Sequence, residues 1–356
     1  MVERHPDVFR VVALAAHRNA AGLAAAASRH AEALVVLVDG DSPDERVRHG
    51  PEALLEAAAH PQADVVLNAV VGAAGLVATL AALTAGKRLA LANKESLVAG
   101  GPLVLGALRE GGGELIPVDS EHSAMLQCMQ GASPKAVRRL ILTASGGPFR
   151  EWTPERMRTV TPQDALRHPT WEMGDKITID SATLVNKALE VIEAHFLFGM
   201  DYDAIEVVVH PQSIIHSMVE FVDGSVLAQL GFPTMELPIL YALGHPERLP
   251  DEAMAGFDPV RVRELTFEAL VSERFPAFRL GVEAGRCGGT APAVYNAANE
   301  VAVAGFLEGR IPFNAVAEVI GQVLDAHAGS AIDTLETVLE ADGVARRAAL
   351  EAMRSR

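Results

Sequence analysis

The sequence predicts an α/β fold in which a doubly wound, Rossmann-like parallel sheet precedes an α+β domain and a C-terminal helical bundle. Three observations support this prediction. Apolar, strand-like runs alternate with helical stretches over the first third of the chain. Residues 205–231 alternate apolar and polar positions around an Asp-Gly pair. From about residue 290, Leu, Val and Ala recur at helical spacing.

The first third contains five candidate strands, which are residues 11–16, 33–39, 64–70, 87–93 and 114–119. Each is a nearly continuous apolar run, as expected for a parallel sheet that is covered on both faces. Helical stretches separate each pair of runs, which is the βαβ rhythm of a doubly wound sheet. Because ligands of such sheets bind at the carboxyl ends of the strands, we expect a site just past residue 118.

The remainder of the chain is predicted to be mixed and then helical. The pair Asp223–Gly224 is typical of a tight hairpin turn, so residues 205–231 are predicted to form antiparallel strands. A helix is predicted over residues 181–198, with Asp180 or Ser181 as its N-cap. The apolar spacing after about residue 290 predicts a terminal helical bundle.

Composition excludes several classes of function. The chain of 356 residues is long enough for two or three domains, and its net charge of −16 opposes a nucleic-acid partner, which would need a basic face. Two widely separated cysteines and a charged N-terminal stretch predict a reduced, cytoplasmic protein. Residues 65–86 carry no charge, but their Gly72/Gly75 break predicts strand, turn and helix, so no membrane span is expected.

Two acids follow the strand-like run that ends at residue 118. Asp119 and Glu121 are two positions apart, so both side chains point the same way on an extended segment. A third acid, Glu190, is expected on one face of the predicted helix, together with Thr183, Asn186 and Lys187. Three carboxylates without a cysteine suit a hard divalent cation, Mg²⁺ or Mn²⁺.

A simpler interpretation of these acids stays open at this point. Asp119 and Glu121 could serve only as the acidic first turn of a helix, which the helix dipole favours. Lys187 and Glu190 could form an ordinary surface pair worth a few tenths of a kcal/mol, about 0.2–0.5 kcal/mol.

Two loops carry further candidate residues. Ser145, Gly146 and Gly147 follow an apolar run, where their backbone N–H groups could cradle an anion or form an ordinary turn. Residues 167–176 combine Trp171 and Met173 with no periodicity, which is typical of a lid that closes over a ligand. His168 in this loop is either a functional residue or a loop histidine with satisfied hydrogen bonds.

Several long blocks, in this order, resemble the 1-deoxy-D-xylulose 5-phosphate reductoisomerase family from about residue 5 to the C-terminal helices. They are "GAAGL…LAALTAGKRLALANKESLV", "PVDSEH", "LTASGGPFRE", "RHPTWEMGDKITIDSATLVNKALEVIEAH", "HPQSIIHSMVEFVDGSVLAQLG" and "NAANEVAVAGFL". The resemblance implies NADPH-dependent rearrangement and reduction of 1-deoxy-D-xylulose 5-phosphate to 2-C-methyl-D-erythritol 4-phosphate, in the non-mevalonate route to isoprenoid precursors. It also implies a bound Mn²⁺ or Mg²⁺, with Co²⁺ as a third candidate, and a homodimer.

The resemblance assigns roles residue by residue. The implied metal ligands are Asp119, Glu121 and Glu190. The implied substrate contacts are Lys94, Ser120, Glu121, Ser145, His168, Ser181, Asn186, Lys187 and Glu190, of which Ser145, Ser181, Asn186 and Lys187 would lie nearest the phosphate. The implied catalytic residues are Lys94, Glu121, His168 and Glu190, beneath a lid that contains Trp171 and Met173. The implied cofactor contacts are His17, Arg18, Asn19, Asn93, Glu95 and Gly174.

The basic stretch at residues 17–19 agrees with the implied cofactor. NAD enzymes place an acid near the ribose 2′-hydroxyl, whereas a basic residue accommodates the 2′-phosphate of NADP. The stretch His17–Arg18–Asn19 therefore favours NADPH.

The sequence departs from the family pattern in two places. No Gly-rich dinucleotide fingerprint precedes residue 11, so the first Rossmann strand is expected to be missing, which would leave both of its neighbours unpaired. We expect that Met1 is not the natural start and that roughly 25–35 further residues precede it, enough for one strand, turn and helix. Residues 231–239 also differ from the family pattern, so Thr234 and Glu236 receive no role.

Four segments are predicted from these patterns. They are an NADPH-binding domain at 1–119, a metal- and substrate-binding catalytic domain at 120–255 with its lid at 167–176, a linker at 256–289 and a helical domain at 290–356. Two alternative functions remain: a truncated homologue that binds metal and phosphosugar without turnover, and a metal-dependent aldolase without a nicotinamide cofactor.

Overall fold

The computed structural model of the chain describes residues 1–355, except the side chains of residues 73, 74 and 154. Contacts divide the chain into two compact units. Unit 1 comprises Met1–Leu97, Gly101–Asp119 and Met235–Met254, and unit 2 comprises Val98–Gly100, Ser120–Thr234 and Ala255–Arg356. The predicted division into four segments remains a prediction.

The strands and helices have the following bounds. The strands are β1 Ala13–Ala16, β2 Leu34–Leu37, β3 Val47–His49, β4 Val65–Asn68, β5 Arg88–Leu91, β6 Glu114–Pro117, β7 Val137–Ala144, β8 Ile205–Val209, β9 Ile215–Phe221, β10 Val226–Leu230 and β11 Glu268–Ala269. The α-helices are α1 Ala20–Ala27, α2 Pro51–Ala58, α3 Ala73–Thr84, α4 Lys94–Gly111, α5 Ser120–Cys128, α6 Pro154–Met157, α7 Pro162–Ala165, α8 Asp175–Thr183, α9 Val185–Phe198, α10 Glu236–Gly244, α11 Pro259–Val262, α12 Pro276–Cys287, α13 Ala291–Leu307, α14 Ala315–Asp325 and α15 Leu335–Arg354. Short 3₁₀ helices lie at Val2–Arg4, Pro134–Ala136, Tyr202–Ala204 and Ser272–Arg274.

Unit 1 contains only parallel strand pairs among its described residues. They form two three-stranded sheets, in the orders β1-β2-β3 and β4-β5-β6. The α/β class and the five predicted strands are confirmed. Strand β3 was not predicted, because two of its three residues are exposed and form no apolar run.

The uncharged stretch of residues 65–86 folds as strand, turn and helix, as predicted. Strand β4 is followed by Gly72, whose φ of 76° begins a turn that only glycine adopts readily, and helix α3 follows. Within residues 1–355 we find no helix that is both long and apolar enough to cross a bilayer.

Unit 2 contains a five-stranded mixed sheet in the order β10-β9-β7-β8-β11. The hairpin between β9 and β10 is antiparallel and turns at Asp223–Gly224, where the Asp223 carboxylate accepts from the Ser225 N–H at 2.9 Å. Strand β8 departs from the predicted antiparallel arrangement on one side only. It pairs antiparallel with β11 but parallel with β7, which lies between β8 and β9 in the sheet.

The helix predicted over residues 181–198 is two helices. Leu184 adopts a left-handed conformation at φ 59° between α8 and α9, so Asp180 and Ser181 lie in the last turns of α8 and cap nothing. Their assignment as an N-cap was wrong. Left-handed residues at helix ends are usually glycine, so a leucine gives no sequence signal of the break. Leu184 is buried, and its packing offsets the backbone cost.

The helices of unit 2 form its core with the sheet. The predicted linker at 256–289 contains α12, whose residues Phe278, Gly281 and Ala284 are buried against α9 and the terminal helices. Helices α13, α14 and α15 confirm the predicted helical C-terminal region.

Replacing Gly281 by Ala should destabilise the protein by about 1–3 kcal/mol, as overpacked cores do. A Cβ atom at this position would lie 2.5 Å from Tyr295 Cζ and 2.6 Å from Ala188 Cβ. Chemical denaturation of the variant measures the loss.

Gly321→Ala is the matched control, because its Cβ would meet nothing nearer than Leu280 at 3.6 Å. Relief of glycine's backbone entropy should leave that helical variant about 0.5–1 kcal/mol more stable than the parent. Equal effects of the two substitutions would contradict the packing described.

Candidate active site

A buried lysine joins two acids at the centre of unit 2. Lys187, on α9, donates from Nζ to Glu121 Oε1 at 2.6 Å, to the Thr143 carbonyl at 2.6 Å and to Glu190 Oε2. The side chain of Glu190 is 1% exposed and that of Lys187 5%. The interpretation of Lys187 and Glu190 as an ordinary surface pair was therefore wrong.

The charge on this lysine is maintained by its neighbours. Burial alone would lower the pKa of Lys187, but the carboxylates of Glu121 and Glu190 raise it by more, so that the net shift is upward. The ammonium group is therefore charged at neutral pH and compensates one of two nearby negative charges.

Carboxylate oxygens of Glu121 and Glu190 lie within 4.8 Å of each other, a spacing at which one cation can contact both. Their hard oxygen donors match the preference of Mg²⁺ and Mn²⁺. Asn186, which is also on α9, donates to Glu190 Oε1, so that both oxygens of this carboxylate are oriented. The donor set therefore fits a divalent ion.

Unit 1 contributes a second ion pair between predicted site residues. Lys94, the first residue of α4, bonds through Nζ to Asp119, and both side chains are largely buried. Asp119 ends the Gly101–Asp119 segment of unit 1, and Ser120 begins α5, where its hydroxyl donates to Glu121 at 2.5 Å.

His168 connects two serines that the sequence singled out. Its Nε2 lies 3.1 Å from Ser145 Oγ and 3.1 Å from Ser181 Oγ. Its Nδ1 accepts from the backbone N–H groups of Thr170 at 3.1 Å and Trp171 at 2.9 Å. Because Nδ1 is an acceptor, the neutral ring carries its hydrogen on Nε2 and presents it towards the serines. Burial lowers the pKa of His168 to about 4, which agrees with that neutral form.

The loop after β7 packs directly on α8. Gly147 has a φ of 65°, and a Cβ atom there would lie 2.7 Å from the Ser181 carbonyl oxygen. Its N–H donates to Ser145 Oγ at 3.2 Å. Glycine is required at this position by both the conformation and the close approach, which holds the hydroxyls of Ser145 and Ser181 near the same ring nitrogen of His168.

The predicted lid residues lie on the segment between α7 and α8. Trp171 and Met173 are half-buried, and the Trp171 ring lies 6.1 Å from the ring of His216 on β9. Gly174 precedes the first residue of α8. The sequence did not single out His216, since a histidine among apolar strand residues is usually part of the core. Burial lowers its pKa.

A buried pair was also missed. His122 Nε2 contacts the Glu190 carbonyl oxygen at 2.9 Å, and its Nδ1 lies 3.2 Å from Glu193 Oε2. Both side chains are essentially inaccessible to solvent. The sequence offered one indication of this pair. His122 follows Glu121, and Glu193 lies one helical turn after Glu190. The pair holds α9 against α5 at the position of Glu190.

The predicted cofactor residues of unit 1 cluster at the starts of two helices. Asn19 caps α1 by accepting from Gly22 N at 2.9 Å, and Asn93 caps α4 by accepting from Ser96 N at 2.8 Å. Arg18 donates to Asp39, just after β2, at 2.6 Å. His17 is exposed, and Glu95 lies in the first turn of α4. Helix N-termini of this kind favour anionic groups such as phosphates.

Comparison with known protein families identifies the same family along most of the chain. The model of 1-deoxy-D-xylulose 5-phosphate reductoisomerase matches residues 1–101. Two models of the C-terminal domain of this enzyme match residues 115–198 and 230–348.

Individual relatives agree over nearly their whole length. The 1-deoxy-D-xylulose 5-phosphate reductoisomerase of Synechococcus sp. (strain JA-2-3B'a(2-13)) is 51% identical over 98% of this chain and 91% of its own. The structure of the enzyme from Zymomonas mobilis in complex with NADPH superposes with a TM-score of 0.92 at 45% identity, covering 100% of this chain and 94% of that one. DOX-P reductoisomerase in complex with NADPH, fosmidomycin and magnesium gives a TM-score of 0.89 at 37% identity, covering 99% and 94%.

The depressed pKa of His168 predicts a specific acid sensitivity. The folded value of about 4 lies below the ordinary value of 6.5, so the unfolded chain binds this proton first as the pH falls. The contribution of this residue to stability should be complete above about pH 6.5 and decline as the pH falls towards 4. NMR titration of the imidazole should give a midpoint near 4, and a midpoint near 6.5 would refute the burial and tautomer described.

Proposed function

Because the chain belongs to the 1-deoxy-D-xylulose 5-phosphate reductoisomerase family, we propose that it converts 1-deoxy-D-xylulose 5-phosphate to 2-C-methyl-D-erythritol 4-phosphate with NADPH. This rearrangement and reduction serves isoprenoid precursor synthesis. The observation that carries the proposal is the buried Glu121–Lys187–Glu190 cluster. The end of strand β7 connects this cluster to the Ser145–His168–Ser181 group. Thr143 at the end of β7 contacts Lys187, and Ser145 lies two residues further on.

We assign the metal to Asp119, Glu121 and Glu190. Two of these carboxylates already lie together in unit 2, and Asp119 is two residues from Glu121, a span of at most about 7 Å along an extended chain. A bound Mg²⁺ or Mn²⁺ would supply Lewis acidity towards the oxygens of the substrate. Lys94 holds Asp119, and Asn186 with Lys187 holds Glu190, so these residues orient the ligands.

The phosphate of the substrate is assigned to Ser145, Ser181, Asn186 and Lys187. His168 contributes its Nε2 hydrogen and orients both serine hydroxyls. Two of these four residues, Asn186 and Lys187, also contact Glu190. One turn of α9 would therefore carry both phosphate-binding residues and a metal ligand. Ser120 and Lys94 complete the proposed substrate contacts.

The segment 167–176 is proposed to close over the bound substrate. The backbone N–H of Trp171 donates to His168. Movement of the indole ring is therefore coupled to the residues that are proposed to bind the substrate phosphate. Closure by Trp171 and Met173 would exclude water from the reacting carbons and strengthen every electrostatic contact in the site.

NADPH is assigned to His17, Arg18, Asn19, Asn93, Glu95 and Gly174. His17, Arg18 and Asn19 follow β1, at the position where NAD enzymes carry an acid for the ribose 2′-hydroxyl. Arg18 also donates to Asp39, which lowers the pKa of Asp39, and its guanidinium is suited to a 2′-phosphate. A homodimer in the cytoplasm is likewise proposed, by analogy with the family.

Glu190→Gln should abolish most Mn²⁺-dependent NADPH oxidation with 1-deoxy-D-xylulose 5-phosphate, by about 100-fold or more, because the change removes a metal ligand at constant size. Turnover is followed by the loss of NADPH absorbance, and Mn²⁺ binding by electron paramagnetic resonance should weaken in parallel. Glu206→Gln on β8, a half-exposed partner of Arg139, is the control and should keep parental rates. Undiminished turnover in Glu190→Gln would contradict the assignment, and an inactive parent would favour the non-catalytic homologue.

Arg18→Ala should raise KM for NADPH by about tenfold or more while changing KM for NADH little, since charged hydrogen bonds contribute about 1.5–3 kcal/mol. Steady-state kinetics with both cofactors measures the preference. Arg29→Ala removes an exposed arginine that pairs with Glu3 in the same unit and should alter neither constant. An equal effect on both cofactors would exclude Arg18 from 2′-phosphate recognition.

A further inference from the structure

A buried carboxylate on α8 connects that helix to the C-terminal helices. Asp180 Oδ1 accepts from Asn299 Nδ2 on α13 at 2.7 Å, and neither side chain is more than 1% exposed. The proposed reaction assigns no role to either residue. A buried carboxylate without compensation is costly, so its partners determine where it can lie.

The second oxygen of Asp180 is also engaged. Lys176 Nζ lies 2.8 Å from Asp180 Oδ2, one helical turn earlier, in the first turn of α8. The carboxylate therefore links the start of α8, which follows the lid segment, to the middle of α13.

Helix α13 is itself held firmly and can act as a reference for α8. Tyr295, one turn before Asn299, is fully buried and donates from its hydroxyl to the Ala277 carbonyl on α12 at 2.9 Å. Gly281 of α12 packs against the same ring. The Asn299 amide is thus presented to α8 from a helix that buried contacts hold against α12.

The residue after Asp180 is Ser181, which contacts His168. Successive residues of an α-helix are about 100° apart, so Asp180 faces α13 while Ser181 faces the proposed phosphate site. Rotation of α8 by about 10° would move a side-chain atom at about 5.5 Å from the axis by about 1 Å. A displacement of that size at a substrate contact can cost about 100-fold in rate.

We propose that Asn299 is a positioning residue: through Asp180 it fixes the rotation of α8 and so places the Ser181 hydroxyl for the substrate phosphate. This inference rests on the proposed function. It gives the C-terminal helices a part in substrate binding, although Asn299 itself touches neither substrate nor cofactor.

Asn299→Leu removes the amide at similar volume, and Asn299→Asp places two carboxylates face to face. In both variants we expect KM for 1-deoxy-D-xylulose 5-phosphate and the inhibition constant of inorganic phosphate to rise about tenfold, and KM for NADPH to change by less, since Gly174 alone of the proposed cofactor contacts adjoins α8. The exchange Asp180→Asn with Asn299→Asp restores an amide-to-carboxylate hydrogen bond and should return both constants to within about threefold of the parent. This cycle separates the pairwise contact from the single substitutions.

Asn296→Leu is the matched control, because Asn296 is buried on the same helix and donates to Glu300 within α13 at 3.0 Å. It should lower Tm without altering either constant. Should Asn299→Asp fail to fold, Asn299→Leu decides the question. Two outcomes would overturn this inference and leave the proposed function standing. One is a lower Tm in Asn299→Leu with both constants unchanged, and the other is an exchange variant as impaired as Asn299→Asp. Absence of turnover in the parent with Mn²⁺ and NADPH would overturn the proposed function and this inference together.

Discussion

The site depends on one buried cation held between two carboxylates. Glu121 on α5 and Glu190 on α9 would repel each other across a low-dielectric interior, and the ammonium group of Lys187 compensates that repulsion. Its third hydrogen bonds the Thr143 carbonyl, so that α5, α9 and β7 meet at a single atom. Removing one partner from such a cluster leaves an uncompensated buried charge, which is why the surrounding elements must keep their relative positions.

A second constraint lies in the neutral histidine beside this cluster. Two backbone N–H groups occupy Nδ1 of His168, and this decides which nitrogen carries the hydrogen facing Ser145 and Ser181. The approach of Gly147 to the Ser181 carbonyl brings the two serines together. Lys187 and His168 therefore both lie near the end of β7, but in different protonation states. Neighbouring carboxylates keep Lys187 charged, whereas burial keeps His168 neutral.

Much of the fold was predictable, and the failures share a cause. The five apolar runs of the first third and the Asp223–Gly224 hairpin follow from local periodicity and turn chemistry, which a single sequence carries. The break at Leu184, the parallel pairing of β8 and the buried pair His122–Glu193 depend on contacts between residues distant in the chain. Local propensity disfavours a left-handed leucine at residue 184, and it gives no information about strand pairing or about the His122–Glu193 contact.

The sequence by itself determined the residue types of the site and their order along the chain, and the resemblance of its long motif blocks indicated the family. Only the tertiary structure decided that Lys187 compensates Glu121 and Glu190, that His168 is neutral, and that Asn299 reaches Asp180 from a helix 119 residues away. Protonation and hydrogen bonding depend on burial and on neighbours in space, and these exist only once the chain has folded.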